Sequence, residues 1–429
     1  MKIKVLLLAL LLLAPLTPSI SATPPKTGAI CSKAGLAKNY NGKRYTCIKS
    51  GKKLVWNKGV VIKLAVPTPS ATLSPNPTNT SSPTSTPTPS PTSPPSPTPT
   101  TIQSFADRWR STGSVALKVL ESAFPAKVAS FPKVELIWRY SDTVDTKIKE
   151  EITKQYQNNS EFWSAYTKID GPLQVIVGTL DDIAFVCKWR DFHLQMNAQN
   201  CVNSFRTDKN RVWDAHTTQL RGKATDFYFM TSPESLTDID FLPRVAHEFF
   251  HNVQHSATNN YKNLFPCWAE ESGAEHFGIL VTSNGDPEKY LKLRYFAVVM
   301  KSNNFRSSIT GPAYWKDWLT KTEVTSYLPN SDAWGCQPYQ NMGLYGNGLL
   351  ATEYLNLQLG IPGVMALYRD AGTMGWEKAI EKAFNKPKLS IYEDMAAYMH
   401  KEFTIASNQD WARPNCVPRG YSINCAAGL

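Results

Sequence analysis

Two histidines one helical turn apart, with a glutamate directly after the first, carry the clearest chemistry in this chain: His247-Glu248-Phe249-Phe250-His251. Imidazoles at i and i+4 of a helix project from one face, so both can reach a single cation. The carboxylate beside them is positioned to move a proton, and H-E-x-x-H reads as a metal site with Glu248 as general base. The competing reading is a solvent-facing polar stripe. Leu242, Val245, Ala246, Phe249, Phe250 and Val253 fall at i, i+3, i+4, i+7, i+8 and i+11, which predicts an amphipathic helix over 241–256. Asp238 or Asp240 can cap its start, and Pro243 is tolerated in a first turn.

Two histidines do not complete a site. Gln254 and Ala257 stand where the metzincin continuation H-E-x-x-H-x-x-G-x-x-H needs Gly and His, and His255 reads as a helix-end histidine off the ligand face. A second helix is predicted over 266–282, and on it Glu270, Glu271 and Glu275 compete for the third position. Glu270 points about 100° away from Glu271, whereas Glu275 shares its face.

The segment Pro266-Cys267-Trp268-Ala269-Glu270-Glu271-Ser272-Gly273-Ala274-Glu275 resembles the W-L-x-E-G-x-A element of gluzincins, zinc metallopeptidases whose third ligand is a Glu on the next helix. Aligning Trp268 and Ala274 implies Glu271 as that ligand, with Ser272 where glycine is usual. Glu275, four residues on, matches the carboxylate that orients the first zinc-bound histidine, here His247. Tyr345-Gly346-Asn347-Gly348 is similar to the Y-x-K-G element, implying Tyr345 as oxyanion donor, with Tyr339 in reserve. The resemblance implies Zn²⁺, a peptide or protein substrate, and a zincin-like two-lobed domain: a small N-terminal sheet lobe and a helical C-terminal lobe.

The surrounding pattern agrees on class. Strand-like runs at 134–138, 173–177 and 227–230 precede helical stretches at 241–256, 266–282, 288–302, 345–359, 362–371, 376–385 and 390–403. Strands first and helices later predict an α+β body over 102–429.

Charge divides the chain. Of 46 Lys/Arg, twelve precede Ile102, where there is no Asp or Glu; the remainder has 34 against 35 acidic residues, a net of −1. Nucleic-acid binding by the body therefore has no support. Residues 1–22 read as a signal peptide, with Lys2 and Lys4 before an apolar run and Ser19-Ile20-Ser21-Ala22 as its exit. No later stretch is long and apolar enough for a membrane span. Residues 26–64 form a basic two-cysteine unit with a hairpin around Lys49–Lys52, similar to short modules near the N-termini of exported bacterial proteins. A disulfide-containing β module is expected there, its basic surface either bound to an anionic cell-envelope polymer or simply solvated. Residues 67–101 read as a disordered linker, holding 12 Pro and 18 Ser/Thr between 67 and 100.

Eight cysteines without a C-x-x-C favour disulfides, by nearness Cys31–Cys47, Cys187–Cys201, Cys267–Cys336 and Cys416–Cys425. There is no G-x-S-x-G for a serine hydrolase. The expectation is a secreted or envelope-associated zinc peptidase. Its alternative is a catalytically weak or inactive zincin-fold adhesion protein.

Overall fold

The computed structural model describes residues 27–31, 34, 37–40, 43–51, 53–58, 60–61, 104–124, 129–194, 214–220, 223–258, 265–301, 325, 327–329, 332, 343–419 and 422–425. The expected signal segment and linker lie outside these residues. The chain divides into two compact units, Met1–Ser96 and Pro97–Leu429.

The first unit is a small antiparallel sheet of β1 (Ala37–Tyr40), β2 (Lys43–Ser50), β3 (Lys53–Trp56) and β4 (Val60–Val61), with β1, β3 and β4 all pairing β2. Gly51, at φ 59°, supplies the positive φ that a two-residue hairpin turn needs. Cys31 is bonded to Cys47, and both pack on Trp56 with Tyr45 and Leu54 alongside. So small a core stabilises little by itself; closing a loop of this length contributes about 3 kcal/mol.

The second unit is α+β. Its sheet runs β5-β6-β8-β7: β5 (Leu136–Tyr140) and β8 (Lys223–Thr231) lie parallel to the central β6 (Leu173–Thr179), and β7 (Asp214–Leu220) is antiparallel to β8. The three strands read from sequence are present, but the first half is not a run of strands. It also holds α1 (Phe105–Arg110) and α2 (Ala116–Ala123) ahead of the sheet, and α3 (Thr146–Ser164) and α4 (Ile183–Leu194) between its strands, because parallel strands need crossover connections. Asp145 caps α3 by accepting from the Lys147 amide at 2.8 Å. That helix buries Ile148, Ile152, Tyr156 and Trp163 along one side.

The helical half comprises α5 (Phe241–Ala257), α6 (Cys267–Ser283), α7 (Pro287–Tyr295) continuing into a π-helical turn (Phe296–Lys301), α8 (Gly343–Met374), α9 (Trp376–Phe384) and α10 (Lys388–Ser407). The two helices expected at 345–359 and 362–371 form one kinked element, broken at Gly360 (φ 65°) just before Pro362. A terminal ladder pairs β9 (Cys416–Arg419) with β10 (Ser422–Cys425), setting Cys416 opposite Cys425. Cys187, Cys267 and Cys416 are disulfide-bonded too, to partners outside the described side chains.

Several helices converge on a fully buried ion cluster. Arg294 holds Glu353 with two bonds of 2.7 Å and reaches Glu402 at 3.0 Å. Tyr290 and Tyr398 donate to Glu353 at 2.9 and 2.7 Å, and Ser114 and the Val115 amide donate to Glu402. Close by, Asn356 donates to Nε2 of buried His276 at 3.1 Å.

Burial pushes the His276 pKa down from 6.5 to about 4; Glu353 opposes the shift and Arg294 adds to it. Between those two pH values the unfolded chain takes up a proton here that the folded chain does not. Stability contributed by His276 is therefore complete above pH 6.5 and falls as pH drops, by about 3 kcal/mol in all at pH 4. Urea unfolding at pH 7 and pH 5 should show a larger loss for the parent chain than for His276→Gln. Equal losses would assign the acid sensitivity elsewhere.

Candidate metal centre

Helix α5 is held from behind by aromatic side chains of α3. Tyr156 meets Phe249 edge-on at 5.5 Å, and Trp163 packs on Phe250 at 4.9 Å. These contacts fix the rotation of the helix and turn His247 and His251 towards α6. The two histidines are not on a solvent-facing stripe, because every residue from Val245 to Val253 is buried. Asp240 is the N-cap position, but neither expected aspartate caps a helix amide with its side chain. Asp238 accepts from the Asp240 amide at 2.9 Å, and Asp240 pairs with Arg244 at 3.6 Å.

The approach of α6 is set by glycine. A Cβ on Gly278 would lie 2.7 Å from the Pro243 carbonyl oxygen and 3.1 Å from the His247 amide nitrogen, so the two backbones touch only because none is there. Gly348 allows the same from α8, where a Cβ would come 2.8 Å from that of Ser272. The serine that departs from the gluzincin pattern is accommodated by a glycine opposite. Its hydroxyl bonds the Trp268 carbonyl and Thr352.

This crossing brings three of the expected residues together. His247 Nε2 lies 3.2 Å from His251 Nε2, and Glu271 Oε2 lies 3.4 and 3.8 Å from those two atoms. A cation bound tetrahedrally at about 2.0–2.1 Å holds its donors about 3.3–3.4 Å apart, which is the size of this triangle. His247, His251 and Glu271 could hold a metal ion. The chain matches no protein-family model, no curated protein and no solved structure. The residues around the triangle must carry the reading further.

Each histidine is gripped through its second nitrogen. Glu275, buried, lies 3.2 Å from His247 Nδ1 and is itself paired with Arg244 at 3.2 Å. Gln254 Oε1 lies 2.9 Å from His251 Nδ1, while its amide donates to the Glu270 carbonyl at 2.9 Å. Such partners fix ring orientation and tautomer. Gln254 and Arg244 were not expected in these roles. Their signal was spacing alone, at i+3 from His251 and i−3 from His247, which on a helix also describes ordinary neighbours.

Charge separates the two imidazoles. Burial first, then Arg244, depress the His247 pKa well below 6.5. One guanidinium nitrogen of Arg244 is 2.9 Å from both ring nitrogens. A single N–H cannot aim at both, so the contact sets a cation against the ring and disfavours a second positive charge. For His251 burial acts in the same sense, but the carboxylates of Glu271, Glu248 and Glu270 outweigh it and raise the pKa. Glu248 is buried, outside the triangle, and its charge is felt by His251 and by Tyr156.

His255, in the last turn of α5, is not one of the three donors, and its ring centre stands 6.5 Å from that of His251. Tyr345 falls in the first turn of α8 by its backbone, but its side chain, like the whole of Tyr339, lies outside the described residues.

Proposed function

We propose that this chain is a secreted zinc-dependent peptidase with a gluzincin-like, two-lobed catalytic domain. The observation that carries the reading is the triangle of His247, His251 and Glu271 with the buried carboxylate of Glu248 next in sequence to the first donor. Two neutral nitrogens and one carboxylate oxygen form a donor set suited to zinc, and three protein donors leave a coordination position open, as catalytic zinc sites do. Zinc held there would act as a Lewis acid, polarising a carbonyl and acidifying water. Glu248 accepts the water's proton and delivers it to the departing amine. Glu275 and Gln254 keep Nε2 of each imidazole facing inward throughout.

The test is zinc stoichiometry of the purified chain together with casein hydrolysis. One zinc per chain and hydrolysis abolished by a chelator, then restored by zinc, support the proposal. Tight zinc without any hydrolysis favours the binding-protein alternative.

The Tyr345 role, oxyanion donor, has its own test. Tyr345→Phe should keep its zinc and fold while kcat falls by about 10²–10³-fold with KM little changed. Unchanged kcat would remove Tyr345 from the mechanism, and a large drop in Tyr339→Phe would move the role there.

A further inference from the structure

The two faces of the small first unit differ in chemistry. Directly paired residues on adjacent strands point to the same face of a sheet, and alternate residues to opposite faces. Cys47 pairs Trp56 across β2 and β3, and this side carries the Cys31–Cys47 disulfide and the module's core. The other side is assembled from three further pairings. Ile30 bridges Val55, Val55 pairs Ile48, and Val60 pairs Arg44, two steps of two along β2 from Ile48.

Ile30, Val55, Ile48 and Val60 therefore share one face. Three of them are largely in water: Ile30 is 76% exposed, Val60 66% and Ile48 44%. The same residues account for half of the six exposed large hydrophobics among the described residues of the whole chain.

Charge surrounds this aliphatic row. Residues 26–64 contain ten Lys/Arg and no Asp or Glu, so nothing within the unit can neutralise them. Lys53, opposite Ser50, belongs to the aliphatic face and is exposed, whereas Lys49, opposite Leu54, belongs to the other.

We propose that this face docks on a bilayer surface rich in anionic lipid. A purely polar polyanion would match the cations but leave the aliphatic side chains in water. A lipid surface offers anionic headgroups and, directly beneath them, an apolar layer for Ile30, Ile48, Val55 and Val60. The unit then works as a peripheral anchor, needing no membrane-spanning helix.

The experiment is flotation of the chain beginning at Thr23, which keeps both units and omits the apolar leader, with vesicles of phosphatidylcholine alone or mixed with phosphatidylglycerol. Binding is expected only to the mixed vesicles and should weaken as salt is raised. Ile30→Ser with Ile48→Ser should lower the affinity about tenfold with every charge retained. Lys53→Gln should lower it about fivefold.

Both aliphatic positions are exposed, so the fold should survive; mapping of the Cys31–Cys47 bridge checks this. Ile48→Leu, which keeps the apolar surface, should bind like the parent. Undiminished vesicle binding by the double serine variant would overturn the proposal. So would absence of vesicle binding by a chain that is retained on polyphosphate, which would make the partner a soluble polyanion.

Discussion

Glu248→Gln is expected to bind zinc like the parent chain and to hydrolyse peptide about 10²–10⁴-fold more slowly. The substitution keeps the volume of a buried side chain and removes one charge that raises the His251 pKa, so the imidazoles stay available as donors. What is lost is the base. Glu271→Gln should behave in the opposite way and lose the metal, because its Oε2 is the anionic corner of the triangle. Glu275→Gln falls between, with zinc affinity about 10–100-fold weaker, as removal of an orienting partner typically costs. Zinc content and kcat measured on all three variants check the scheme. Retention of zinc by Glu271→Gln with its loss from Glu275→Gln would move the ligand assignment one helical turn.

Glu353→Ala is expected to destabilise the body by about 3–5 kcal/mol at pH 7, the usual cost of orphaning a buried charge. Arg294 would keep only Glu402, and Tyr290 and Tyr398 would both lose their acceptor. Replacing all three charges, Arg294→Met with Glu353→Leu and Glu402→Gln, should cost less than the single change, since no buried charge is left to solvate. Urea unfolding of the two variants beside the parent decides the matter. A loss under about 1 kcal/mol for Glu353→Ala would mean that solvent reaches the cluster, as at a surface pair.

The parts of this protein that were legible in its sequence are those with a short repeat. H-E-x-x-H needs only the helical period, and the apolar positions around it fix which helix carries it. The three core strands were legible as short runs of mostly aliphatic or aromatic residues. Helix α3 was not, because Gln155, Asn159 and Ser160 sit buried among its apolar residues and break the stripe. The edge strand β7 was missed for a related reason: Asp214–Leu220 is mostly polar. Glu271 could be chosen over Glu270 only through the gluzincin resemblance, since the position of α6 against α5 is set by glycine contacts that composition does not display. Arg244 and Gln254 act on the histidines from the same helix, yet a charged or amide residue one turn away looks the same when it faces water. The Arg294 cluster joins residues 59 and 108 positions apart, and no local pattern encodes that.

That cluster also orders events in time. Ser114, Arg294, Glu353 and Glu402 must all be present before any of them is fully compensated, and the first and last are 288 residues apart. At about 5–20 residues per second, a ribosome needs about 15–60 s to travel from one to the other. During that interval the body cannot close around its buried arginine, so its native packing is completed only after nearly all of it has been synthesised. The chain is consequently kept from closing around Arg294 by its own connectivity until α10 has been made.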